Sequence, residues 1–190
     1  MGIGQGYLLV TPLQLAHITG ILAERGRNFR PRLLKGMRDP AGRMQRLAPV
    51  EGAPIKGVSA EDWTVVTDAM IGTTHCARYC GTAWVAFKGA AYQAAGKTGT
   101  AQVYTVAQNA KYNAKTIPER LRDHAWFIAF APAEAPRIAI AVLVENAGFG
   151  SMNAAPVARK VLDAYLLGPD GKLKPPTLEA TTASPQKPQA

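Results

Sequence analysis

The residues of this chain best suited to chemistry lie together in Gly96-Lys97-Thr98-Gly99-Thr100, a cation and two hydroxyls spaced by glycines. Three uses compete for such a run. Gly-Lys-Thr ends the phosphate-binding loop, but that loop also requires glycine five residues before Gly96, where this chain has Ala91, and it must open a helix. The next residues are Ala101-Gln-Val-Tyr-Thr-Val106, a β-rich sequence, so the nucleotide reading is rejected. The second use is a glycine-flanked strand start with no chemical role. The third is an acyl-transfer edge. Such a site needs donors for a substrate carboxylate, a backbone N–H aimed at a developing oxyanion, and glycine where bulk would block a substrate lying along the strand. Lys97, Thr98, Gly99 and Thr100 on one strand supply all three.

The elements around this run are set by periodicity and punctuation. Thr11 and Pro12 mark a helix start, with Leu15, Ile18, Ile21 and Leu22 on its inner face and Gly26 as its stop. Residues 36–58 carry Gly, Pro and scattered charge without a period and read as a long surface excursion. Ser59, with Asp62 three residues later, opens a second helix through a capping box, and Trp63, Val66, Met70 and Ile71 form its inner stripe. The segment from about Ala91 to Val106 is strand-like. Ala125–Ala131 and Arg137–Val144 are apolar runs joined by Pro132-Ala-Glu-Ala-Pro136, a β-hairpin whose near-continuous hydrophobicity predicts cover on both faces. Asn153 is the expected cap of a last helix packed through Val157, Val161 and Tyr165. Helix, loop, helix, three antiparallel strands and a helix make an α+β unit, an antiparallel sheet flanked by helices, over residues 1–168. Residues 169–190, with five prolines, read as a disordered Pro-rich tail.

Composition narrows the function classes. The chain has 190 residues, 47% of them hydrophobic, which is enough for a buried core. No uninterrupted apolar run reaches the roughly 18 residues of a membrane span, and Met1-Gly-Ile-Gly-Gln-Gly6 does not read as a signal peptide. Any export signal is therefore expected upstream. The net charge is +9, with basic side chains concentrated in Arg25–Arg46 and Lys111–Arg122. No aromatic-and-basic interleaving accompanies that charge, so no nucleic acid is expected as partner. Gly2, Gly4 and Gly6 mimic a dinucleotide loop, but no strand precedes them.

The surroundings of the motif resemble a known family. Gly81-Thr-Ala followed by Ala95-Gly-Lys-Thr-Gly-Thr-Ala-Gln102 is similar to the class B penicillin-binding proteins, in which Lys-Thr-Gly is a signature. Glu119-Arg-Leu-Arg-Asp-His124 with Ala125-Trp-Phe-Ile-Ala-Phe-Ala-Pro132 resembles their penicillin-binding protein 2 branch, which serves rod elongation. Ile3-Gly-Gln-Gly-Tyr7 with Thr11-Pro12 resembles the segment just after that branch's Ser-x-Asn motif. The likeness runs from residue 3 to about 168. It implies the penicillin-binding, serine β-lactamase-like transpeptidase fold and cross-linking of peptidoglycan at the D-Ala-D-Ala end of stem peptides, with β-lactams acylating the same site. It further implies that Lys97 supports the nucleophile's charge network and holds the substrate carboxylate. Thr98 and Thr100 would hydrogen-bond that carboxylate, the Thr100 N–H would serve the oxyanion, and Gly99 would keep the edge open. No cofactor is implied. The implied partners are the rod system's glycan polymerase and elongation proteins. The implied place is the periplasmic face of the bacterial inner membrane, reached through an upstream anchor.

The same mechanism needs Ser-x-x-Lys and Ser-x-Asn ahead of Lys-Thr-Gly, and the chain has only Ser59, Ser151 and Ser184. Ser184-Pro-Gln-Lys187 and Ser151-Met-Asn153 match on paper, but the first lies in the expected tail and the second in the expected turn before the last helix. The chain is therefore expected to be the C-terminal part of a transpeptidase domain, inactive alone. The alternative is a non-catalytic module that binds peptidoglycan or elongation proteins. His75, Cys76 and Cys80 leave zinc, a disulfide and free thiols open, since a structural zinc site wants four ligands. A periplasmic location, which the resemblance implies, would favour the disulfide. Asp123 and His124 are adjacent on a strand and so face opposite ways, while Arg122 and Asp123 are expected as ion-pair partners or substrate-side contacts.

Overall fold

The computed structural model describes residues 9–77, 79–103 and 116–176. Ile3–Tyr7, Tyr104–Val106, Lys111, Ser184 and Lys187 lie outside the described residues. The order is α1 (Pro12–Ala23), β1 (Gly36–Arg38), β2 (Met44–Arg46), α2 (Ala60–Thr74), α3 (Trp84–Phe87), β3 (Ala95–Ala101), a 3-10 turn at Glu119–Leu121, β4 (His124–Ala131), β5 (Ile138–Val144) and α4 (Gly150–Leu166). β3, β4 and β5 form one antiparallel sheet in that order. The α+β arrangement expected from the sequence is the one observed.

Side-chain alternation along β4 sorts the two faces. Ala125, Phe127, Ala129 and Ala131 point to a core built with α4, α3 and Tyr92. Phe130 points the other way, into a smaller cluster with Met70, Ala95, Leu22 and Ala139 beneath α1 and α2. The hairpin is thus covered on both faces. β4, flanked by strands on both sides, carries the most buried positions, whereas β5 at the edge is half-buried throughout.

The caps agree with the sequence. The Thr11 hydroxyl accepts from the Gln14 amide at 3.2 Å, and Gln14 Oε1 accepts from the Thr11 amide, with Pro12 in the first turn. α1 ends where Arg25 takes φ 50° and the Gly26 amide donates back to Ile21 O at 2.9 Å. A Cβ on Gly26 would sit 2.9 Å from the Trp63 ring. At α2, the Ser59 hydroxyl accepts from the Asp62 amide, and Asp62 Oδ2 accepts from the Ser59 amide, both at 3.1 Å.

The inner faces of the helices differ from the expectation. In α1 the buried position is Thr19, whose hydroxyl donates to Leu15 O at 2.7 Å, while Ile18 is exposed. In α2 Met70 is buried but Val66 is exposed. In α4 Val157, Val161 and Tyr165 are on the outer side, and Ala154, Ala158, Leu162 and Leu166 face the sheet. Alanines win there because small side chains let the helix sit close on the sheet, with the leucines filling the wider end. Asn153 is not the cap. Phe149 holds that position, Ser151 to Asn153 lie in the first helical turn, and Asn153 Nδ2 donates back to Ala147 O at 2.6 Å.

The excursion at 36–58 contains a small hairpin, β1 with β2. Its turn is held by Asp39, which accepts from the Arg43 amide and from Arg43 Nε, both at 2.8 Å, and by Gly42 at φ 79°. Residues 169–176, read from composition as the start of a tail, fold back. The Lys174 amide donates to Leu166 O, its Nζ reaches Ala164 O and Tyr165 O at the C-terminal end of α4, and Arg137 Nη1 donates to Lys174 O. A lysine at a helix C-terminus satisfies carbonyls that have no partner in the helix.

Candidate active site

β3 carries the Lys-Thr-Gly-Thr run and lies at one edge of the sheet, with β4 as its sole strand neighbour among the described residues. The register sets Lys97 against Ile128, Thr98 against Phe127, Gly99 against Trp126 and Thr100 against Ala125. Alternation then divides the motif. Lys97 and Gly99 share the α1 and α2 side, and Thr98 and Thr100 share the α4 side.

Lys97 is exposed, and its Nζ donates to the carbonyl of Thr98 at 2.7 Å, so the cation lies over the strand edge. Thr98 is half-buried, and its Oγ1 is 3.0 Å from Thr82 Oγ1. Thr82 belongs to the Gly81-Thr-Ala segment and is a site contact that was not singled out from the sequence. Thr100 is half-buried near the end of the strand.

Four pieces of this chain fix β3. Its start is anchored to α2, where the buried Thr74 hydroxyl donates to Ala94 O at 2.6 Å. Just ahead of it, Tyr92 donates its phenol proton to Asp163 Oδ1 of α4 at 2.8 Å, and Arg159 Nε donates to both Asp163 oxygens at 2.8 Å. Burial first, then the bond to Asp163, pushes the Tyr92 phenol well above its usual range. Along the strand, Gly96 lies over Phe127, whose ring a Cβ would meet at 2.6 Å. At Gly99 the first residue of α4 comes down on the strand: a Cβ on Gly150 would overlap Gly99 O and Trp126 O. A Cβ on Gly99 would itself meet Trp126 Cβ at 3.1 Å. The glycine at position 99 therefore has a packing reason besides the open edge inferred for it.

The loop that delivers α4 to this point is tied to the entry of β4. His124 Nδ1 accepts from the Asn146 amide at 2.9 Å, Asn146 Nδ2 donates to Arg122 O at 2.9 Å, and the Gly148 amide donates to Asp123 O at 2.7 Å. His124 is thus a structural acceptor rather than the base of a pair with Asp123. Arg122 and Asp123 take part in this loop through their main-chain carbonyls. Cys76 and Cys80 are joined in a disulfide, which removes both sulfurs as zinc ligands, and no cluster of metal-ligating side chains occurs among the described residues.

An exposed lysine, a half-buried threonine and closely packed glycines thus share a sheet edge on which α4 seats its first residue. Residues 1–163 match the penicillin binding protein transpeptidase domain, and the chain belongs to that family. Among individual relatives it is 42% identical over 170 residues to the peptidoglycan D,D-transpeptidase MrdA of Haemophilus influenzae, covering 87% of this chain and 25% of that protein. It is 38% identical over 168 residues to MrdA of Escherichia coli K12, covering 88% of this chain and 26% of that protein. The solved Pseudomonas aeruginosa PBP2 in complex with WCK 5153 superposes with a TM-score of 0.72 at 42% identity, over 92% of this chain and 34% of that one. The Helicobacter pylori PBP2 solved in complex with MreC matches with a TM-score of 0.64 at 28% identity, over 86% and 26%. The chain spans about a quarter of the length of the curated relatives it matches.

Proposed function

We propose that this chain supplies the carboxylate-binding half of a peptidoglycan D,D-transpeptidase site that cross-links stem peptides at D-Ala-D-Ala. The observation that carries the reading is the placement of Lys97 and Thr98 on a sheet edge, in a strand whose glycines are packed from behind by Phe127 and by Gly150 of α4. Lys97 holds the substrate carboxylate and supports the charge of the nucleophile. Thr98 and Thr100 bind the same carboxylate, and the Thr100 N–H donates to the oxyanion. The nucleophilic serine comes from a Ser-x-x-Lys segment beyond this chain, so this chain alone is catalytically silent. No cofactor takes part. The Cys76–Cys80 disulfide supports a periplasmic location, at the face of the inner membrane. A second reading is a non-catalytic module bound to peptidoglycan or elongation proteins, for which the likeness to a PBP2 solved with MreC supports a protein partner.

Intact-mass spectrometry after incubation with a β-lactam separates the readings. It is run on this chain and on one extended upstream through the nucleophile motif. A β-lactam adduct on the extended chain alone is the expected result. An adduct on this chain would overturn the assignment of the nucleophile, with Ser184 and Ser151 the residues to map. Two folded, unmodified chains would leave the binding module.

A further inference from the structure

One side chain outside the Lys-Thr-Gly-Thr strand touches its second residue. Thr82 Oγ1 is 3.0 Å from Thr98 Oγ1, across 16 residues of chain. A hydroxyl has one proton and two lone pairs. If Thr98 spends its proton on Thr82, it presents only lone pairs to an approaching carboxylate, which repel it. If Thr82 donates, Thr98 keeps its proton for the anion, and the two bonds in series strengthen each other. At the other end of the same residue, Lys97 Nζ donates to the Thr98 carbonyl at 2.7 Å, so a cation and a directed hydroxyl converge on one residue.

Thr82 is held in place by the end of α2. The Gly81 amide donates to His75 O at 3.0 Å, and the Ala83 amide donates to Thr73 O at 2.9 Å. Ala83 is buried, and Gly81 sits so close to the Gly72 and Thr73 carbonyl oxygens that a Cβ there would overlap both. Immediately before Gly81, the Cys76–Cys80 disulfide closes the loop that returns the chain from α2 to this position. α2, the disulfide, Gly81 and Thr82 thus form a bracket that ends on Thr98.

We propose that Thr82 is a positioning residue that turns the Thr98 hydroxyl toward the substrate carboxylate, and that the Cys76–Cys80 disulfide keeps it within reach. This rests on the proposed transpeptidase function. The test uses the full-length protein and two probes, a penicillin with its free carboxylate and the methyl ester of the same penicillin. The second-order acylation constant is measured for each. Thr82→Val, which keeps the shape and removes the hydroxyl, is expected to lower the constant for the acid about tenfold, the size of one hydrogen bond to a charged group, through weaker binding rather than slower acylation. The ester is expected to be unaffected, and Thr82→Ser to restore the acid. The double variant Cys76→Ser, Cys80→Ser is expected to lose rate on the acid selectively as well. An unchanged constant for the acid in Thr82→Val would overturn the proposal, and so would an equal loss on acid and ester. Wild-type protein that is never acylated by either probe would overturn the functional reading itself, and this proposal with it.

Discussion

Two glycines in helices of this chain should respond to alanine with opposite signs. Gly150 begins α4, and a Cβ there would overlap the carbonyl oxygens of Gly99 and Trp126 and lie 3.0 Å from the Gly99 amide nitrogen. All three are backbone atoms in paired strands, Gly99 being opposite Trp126, so none can swing aside as a side-chain tip would. Relief requires lifting the start of α4 off the sheet, an overpacking cost of about 1–3 kcal/mol, set against only part of the gain of about 1 kcal/mol that alanine brings to a helix interior. Gly72 lies inside α2 with open space where its Cβ would be, so Gly72→Ala collects that gain without a clash. For a domain of this size, each 1 kcal/mol moves the melting temperature by about 2–4 °C. Thermal unfolding followed by circular dichroism should therefore show Gly150→Ala melting several degrees below the parent and Gly72→Ala a few degrees above it. Equal shifts of the same sign in both variants would refute the claim that α4 seats its backbone directly on the Lys-Thr-Gly strand.

Two further outcomes rest on named bonds. Ser59→Ala removes the hydroxyl half of the α2 capping box and the hydroxyl's bond to Asp62 Oδ2, keeps the amide half, and should cost about 1 kcal/mol in urea unfolding at neutral pH. The Ser59 hydroxyl, and then its amide, hold the Asp62 carboxyl below its usual range, so this stabilisation is present above about pH 4 and fades as acid protonates Asp62. The acid-side slope should therefore be shallower in Ser59→Ala. Tyr92→Phe removes the bond to Asp163 and should cost about 1–2 kcal/mol at pH 7. Because burial and Asp163 raise the phenol in the folded state, the wild-type protein should lose stability as pH climbs past about 10, the unfolded value, and Tyr92→Phe should lose less over that range.

What the sequence disclosed was local in origin. The Thr11 cap with Pro12 and the Ser59–Asp62 capping box depend on residues at most three apart, and the β4–β5 hairpin depends on two apolar runs and a proline-bounded turn, so these could be read directly, whereas the Gln14 half of the box at Thr11 was not. The Lys97-Thr98-Gly99-Thr100 strand was legible for the same reason, by the glycines within it and the β-rich residues after it. Which face of a helix is buried was less legible, because it is decided by what lies opposite. Periodicity is read as placing Val157, Val161 and Tyr165 inward, but the row Ala154, Ala158, Leu162 and Leu166 is the one buried, because the close approach of α4 to the sheet favours smaller residues. The β1–β2 hairpin was missed because its strands are three residues each and exposed apart from half-buried Gly36, with no apolar alternation. Its Asp39-Pro-Ala-Gly42 turn was the available signal. Thr82 was missed because its partner is 16 residues away, and only the proximity of Gly81-Thr-Ala to the motif hinted at it.

The glycines of the motif tie function to packing in one physical step. Gly96 and Gly99 would be needed for a substrate lying along β3, yet each also receives something from behind: Phe127 against Gly96, and Trp126 with the start of α4 against Gly99. A side chain at Gly96 would push on the buried Phe127 ring, and one at Gly99 would press on the half-buried Trp126. The strand's position is set by Thr74 of α2, by Tyr92 with Asp163, by β4 and by α4, every one of them within this chain. The contacts that position Lys97 and Thr98 thus come from elements of this chain. Stability and ligand affinity should then respond separately to mutation. Changes that press on the strand's packed side, at Gly96 or Gly150, lower both together, whereas changes at exposed Lys97 on the strand, or at exposed Thr82 beside it, lower affinity and leave the melting temperature near the parent value.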